Sequence, residues 1–123
     1  MTQTIAIVVS DLMFQSRIDA AARSLGLAPR IADTAVSLAD ALAARPAVAV
    51  IDLHERALDP TAAIIDAKAA GARVLAFGRH TEPATLRAAR DAGADLVVPR
   101  SQLAEELPEL LRSLMALEEV ERR

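Results

Sequence analysis

Strand-type and helix-type segments alternate five times along this chain, and that alternation restricts the fold to a parallel sheet with helices on both faces. The clearest strand is VAVIDL, Val48 to Leu53, whose apolar run meets a carboxylate, Asp52, where the strand should end. A second run, TIAIVVS from Thr4 to Ser10, delivers Asp11 in the same way. In an open parallel sheet, ligands and chemistry sit at the carboxyl ends of the strands. If the two strands are neighbours, Asp11 and Asp52 share one crevice.

The helices between the strands are legible from apolar spacing and end signals. Phe14, Ile18, Ala21 or Ala22, and Leu25 recur at helical spacing before Gly26, which suits a left-handed stop. A short strand, Pro29 to Asp33, precedes a helix capped by Thr34, carrying Leu38 and Leu42, and ended by Pro46. Asp59 then Pro60 reads as an N-cap followed by proline at the first helical position, with the helix running through Ile64, Ile65 and Lys68 to Gly71. Arg73 to Phe77 is the fourth strand, Pro83 to Gly93 the fourth helix, and Ala94 to Val98 the fifth strand. The last helix carries a stripe of Leu103, Leu107, Leu110 or Leu111, Leu114 and Leu117. Pro108 lacks the amide that a mid-helix position needs, so a lead-in turn from Ser101 is expected, with regular helix from near Pro108. At 123 residues the expectation is one domain over 1–123.

Composition narrows the function classes. With 53% hydrophobic and 2% aromatic residues the core is aliphatic. A net charge of -3 gives no basic field for nucleic acid, and the arginines are interleaved with acids. There is no cysteine, which excludes disulfides, thiol catalysis and thiolate metal sites. The start, MTQTIAIVVSD, has no basic n-region, and no apolar stretch approaches the roughly 18 residues that span a bilayer. A cytoplasmic protein with no membrane or nucleic-acid partner is expected. Thirteen of the fourteen basic residues are Arg, which hints at a GC-rich bacterial genome.

Element order, element size, the placement of Asp11 and Asp52, and the phrase AGADLVV, Ala92 to Val98, together resemble the receiver domain of bacterial response regulators along nearly the whole chain. The resemblance implies an α/β, doubly wound, flavodoxin-like (βα)5 sandwich with strand order 2-1-3-4-5. It also implies a site. In a working receiver two acids after the first strand and a phospho-accepting aspartate after the third hold Mg²⁺, and a lysine after the fifth strand pairs with the phosphoryl group. A Thr or Ser after the fourth strand and an aromatic residue on the fifth report the phosphorylation. Asp52 matches the acceptor and Asp11 the second acid, so these two are the weak Mg²⁺ candidates; no cofactor is required otherwise. Ser10 replaces the first acid, Gly78 the Thr/Ser, Leu96 the aromatic residue and Pro99 the lysine.

Ser10 thins a hard-cation site, and Pro99 removes the charge that steadies a transferring phosphoryl group. Ser10, Gly78, Pro99 and Arg100 are the expected pocket residues; Arg100, next in sequence to Pro99, could reach back to the pocket, although an adjacent residue on a strand points to the opposite face. The expectation is therefore a receiver-like signalling module, a pseudo-receiver working by protein–protein interaction and not as an enzyme. The alternative is a genuine receiver that takes a phosphoryl group from a histidine kinase on Asp52, with a small-ligand binder using the same edge as a weaker third. Partners would be a histidine kinase or a downstream signalling protein. A weak homodimer is also expected, through Arg87, Arg90 and Asp91 on the fourth helix and Glu109, Arg112 and Glu119 on the last, with the LEEVERR tail extending that face. His54 and His80 follow the third and fourth strands without a recognised ligand spacing and are expected to be solvated rather than metal-bound.

Overall fold

A computed structural model describes residues 2–122, with β1 (Thr4–Val8), α1 (Leu12–Ser24), β2 (Ala28–Ile31), α2 (Ala35–Ala43), β3 (Val48–Asp52), α3 (Pro60–Ala69), β4 (Arg73–Gly78), α4 (Pro83–Asp91), β5 (Leu96–Pro99) and α5 (Arg100–Arg122). Arg123 and the side chains of Glu118, Glu121 and Arg122, all in the LEEVERR tail, lie outside the described residues. The five strands form one parallel sheet in the order β2-β1-β3-β4-β5, the expected doubly wound topology. No helix among the described residues is long and apolar enough to cross a membrane.

Strand alternation divides the core into two layers. Ile5, Ile7 and Val9 of the first strand segment, with Val48, Val50, Leu75 and Phe77, face α1 and α5, where Ile18, Leu103, Leu107, Leu111 and Leu114 meet them. Ala6, Val8, Ala49, Ile51, Val74 and Ala76 face α2, α3 and α4. Alanines dominate that second layer from both sides, Ala63, Ala67 and Ala89 among them, so those helices pack close to the sheet.

The end signals act as expected. Thr34 and Asp59 each cap a helix through their side chains, and Pro60 and Pro83 open theirs; Asp11, read from the sequence as a site residue, caps α1 as well. Two details differ. Helix starts at Arg100, directly after β5, and the break falls at Glu106, whose φ of -120° and ψ of 21° leave the helical region. Pro108 then sits in the first turn of a second helical segment, where its missing amide costs no hydrogen bond. The fifth strand begins two residues later than expected, at Leu96, because Ala94 N–H still closes the end of α4 on Ala89 O and Asp95 makes the turn into the sheet.

Candidate functional site

β1 and β3 are paired from Ile5 with Val48 to Val8 with Ile51, so both chains reach the carboxyl edge side by side. Ser10 and Asp11 follow β1, and Asp52 is the last residue of β3. A crevice of about 550 Å³ opens there, lined by Ser10, Asp11 and Asp52 together with His54, Glu55, Arg56, Arg79 and Arg100.

Asp52 is only 5% exposed. Its Oδ1 accepts a hydrogen bond from the His54 amide at 2.8 Å, and its Oδ2 lies 4.0 Å from Arg100 Nη1. Burial pushes its carboxyl above the ordinary 3.8, partly offset by the His54 hydrogen bond and the Arg100 charge. Asp11 does two things at once. Oδ1 accepts the Met13 and Phe14 amides as the cap of α1, and Oδ2 accepts a 2.9 Å hydrogen bond from Arg100 Nη2.

Arg100 lines the crevice as a pocket residue, and strand alternation does not keep it away. β5 ends at Pro99, so Arg100 is the first residue of α5 and is not bound by strand periodicity. Its side chain folds back over the crevice, with Cζ 4.6 Å from the Phe14 ring centroid and 5.9 Å from that of Phe77. Aromatic faces support a guanidinium in this way, and its planar fork still reaches both carboxylates.

Glu55 was not foreseen. It lies in the loop after β3, is 8% exposed, and receives the Ser10 hydroxyl at 2.7 Å from each carboxylate oxygen and the Arg56 and Ala57 amides at 2.9 and 3.0 Å. Burial pushes its carboxyl up, but the hydrogen bonds from Ser10, Ala57 and Arg56 outweigh that and hold it below its ordinary 4.5. No periodicity or capping pattern marks such a residue; the only signal is its place three residues after Asp52 opposite a serine where an acid was expected.

The other sequence-derived positions fall as follows. Gly78 is buried at the end of β4, and a Cβ there would meet Leu53 Cδ1 and Leu86 Cδ2 at 3.3 Å, so a hydroxyl-bearing side chain would have to push these two leucines back by a few tenths of an ångström. Pro99 pairs with Gly78 at the end of the edge strand, and Leu96 packs half-buried against the layer under α1 and α5. Arg87, Arg90, Asp91, Glu109, Arg112 and Glu119 are all exposed, with α4 and α5 on opposite sides of the sheet flanking the β5 edge. His54 Nε2 is 2.9 Å from Glu82 Oε2, tying the loop after β3 to the start of α4, while His80 is exposed on a neighbouring cleft. His54 lines the crevice with Asp52 while His80 does not, and among the described residues no three His, Asp or Glu side chains converge as a metal-binding group.

The donor set therefore does not fit the Mg²⁺ site that the resemblance implies. Both aspartates are turned to one guanidinium, and Ser10 spends its hydroxyl on Glu55. A hard cation needs those oxygens free and convergent.

No family model matches the sequence, and no curated protein matches it. Solved structures do. The chain is similar to a CheY-like response regulator receiver domain protein from Methanospirillum hungatei JF-1, with a TM-score of 0.79 at 18% identity over 98% of this chain and 99% of that one. It is similar to the signal receiver domain of the DNA-binding response regulator merR from Colwellia psychrerythraea 34H, with a TM-score of 0.78 at 18% identity over 93% and 98%. It also matches NtrX from Brucella abortus with a TM-score of 0.84 at 20% identity, covering 99% of this chain and 28% of that one. The chain thus has the CheY-like, flavodoxin-type fold of response-regulator receiver domains.

Proposed function

We propose that this chain is a pseudo-receiver, a two-component signalling module in the cytoplasm that acts by binding protein partners and not by turning over a phosphoryl group. The observation that carries this reading is the Arg100 guanidinium, hydrogen-bonded to Asp11 at 2.9 Å and 4.0 Å from Asp52. It puts a covalently attached cation against the two carboxylates that a receiver would offer to Mg²⁺. Gly78, hemmed in by Leu53 and Leu86, and the aliphatic Leu96 support the same reading, since neither can relay a phosphoryl signal. Partners of the histidine-kinase or downstream-regulator type suit the fold. The edge of β5, flanked by Arg87, Arg90 and Asp91 on one side and Glu109, Arg112 and Glu119 on the other, is the proposed docking and weak self-association surface, its mixed charge suiting a two-fold contact.

Asp52 favours the alternative of a genuine phospho-acceptor in one respect, its position at the end of β3 beside Asp11. Acetyl phosphate with Mg²⁺ and intact-mass spectrometry separate the two. The expected result is an unmodified mass. Near-stoichiometric addition of one phosphoryl group, lost in Asp52→Asn, would establish the phospho-acceptor instead.

A further inference from the structure

A second cleft, of about 470 Å³, lies beside the crevice and shares Arg79 and Arg100 with it. Its floor is apolar, from the Phe14 ring and Ala104, and its rim carries Arg79, Arg100, His80, Thr81 and Ser101. No carboxylate lines it among the described residues. Asp11 is turned to Arg100 and the cap of α1, and Glu82, next to Thr81 in the chain, to His54.

The donors on the rim are uncommitted. Among the described residues the side chains of Arg79, His80, Thr81 and Ser101 make no hydrogen bond or ion pair, and Arg100 uses one of its five N–H groups on Asp11. A protein with net charge -3 has here a concave surface with two guanidiniums, two hydroxyls, an imidazole and no acid. Small-ligand sites have this make-up, an apolar floor with a few convergent polar groups, in a volume of roughly 300–1,000 Å³.

We infer that this cleft binds a small anion whose phosphate or carboxylate is carried on an apolar group about the size of one ring. The anionic head lies between Arg79 and Arg100, where a planar fork matches either oxyanion, with Thr81 and Ser101 donating to its remaining oxygens. The ring lies on Phe14 and Ala104. Because Arg100 also reaches Asp11 and Asp52, an occupant of this cleft touches the same guanidinium that closes the crevice. The inference shares Arg100 with the pseudo-receiver reading, but its test turns on Arg79, of which that reading requires nothing.

Phenyl phosphate, benzoate, inorganic phosphate and benzyl alcohol are the probes, titrated by amide NMR shifts into the wild type and into Arg79→Ala. Phenyl phosphate or benzoate is expected to bind about tenfold more tightly than either inorganic phosphate or benzyl alcohol, and Arg79→Ala to weaken it about tenfold. The tighter of the two ring anions identifies the head group. Arg30→Ala, which removes the same charge from an exposed position on β2, is the control and is expected to bind as wild type does. Ring anions that bind no better than benzyl alcohol, or equally well to Arg79→Ala with its amide spectrum intact, would overturn the inference.

Discussion

Phe77→Ala is expected to destabilise the protein by about 3–5 kcal/mol, a large fraction of the roughly 5–15 kcal/mol that holds a domain of this size folded. The ring is fully buried at the end of β4, with its centroid 5.6 Å from that of Phe14. These are the only two aromatic residues in the chain, so nothing else of that volume exists to refill the space. Its neighbours Leu75, Val98 and Leu103 are held by the sheet and by α5, which limits collapse into the cavity. Phe77 also lies beneath Arg100, so the same substitution loosens the support of the guanidinium over the crevice. Urea denaturation gives the test. Phe77→Leu, which keeps most of the volume, is expected to cost less than about 1.5 kcal/mol. A cost for Phe77→Ala no larger than that for Phe77→Leu would show that the two rings are not the keystone of this layer.

Asp95→Ala is expected to cost about 2–3 kcal/mol at neutral pH, because one small carboxylate joins three elements. It accepts the Val74 amide at 2.7 Å, Lys68 Nζ at 3.0 Å and Arg73 Nη1 at 3.2 Å, linking the start of β5 to β4 and to the end of α3. Burial raises its carboxyl, but the Val74 hydrogen bond and the Lys68 and Arg73 partners prevail and hold it below the ordinary 3.8. An acid depressed in the folded state contributes stability that is complete above its unfolded value and is lost as pH falls through its folded one. The deficit of Asp95→Ala relative to wild type is therefore expected to be full at pH 7 and to shrink below pH 3.8. Urea midpoints of the two proteins across that range measure it, and a deficit independent of pH would assign the loss to packing instead.

The sheet was readable from the residues because strands such as Val48 to Asp52 are continuous apolar runs, and because Thr34 and Asp59 announce helix starts by capping chemistry that acts within three residues. Local rules of that kind survive the tertiary context. Where a conclusion depended on which side chain fills a space, they failed. Arg100 was counted with the pocket, yet alternation argued against it because the pattern was carried one residue beyond the end of β5, where a helix begins. Glu55 has no local signature; its burial follows from a serine 45 positions away and two amides of its own loop. The crowding at Gly78 comes from Leu53 and Leu86, which the fold alone brings there. Glu106 takes the break in α5 because Pro108 can be accommodated in a first turn, an option that sequence spacing does not distinguish from a later start.

That Arg100 stands in for a bound divalent cation is tested most directly by titrating Mn²⁺, a hard ion of the same oxygen preference as Mg²⁺, and following its free signal by electron paramagnetic resonance. Wild type is expected to leave Mn²⁺ free at about 1 mM, while Arg100→Ala, with Asp11 and Asp52 released, takes up one ion and loses it again on adding Asp52→Asn. Binding of one Mn²⁺ by wild type as tightly as by Arg100→Ala would contradict the assignment.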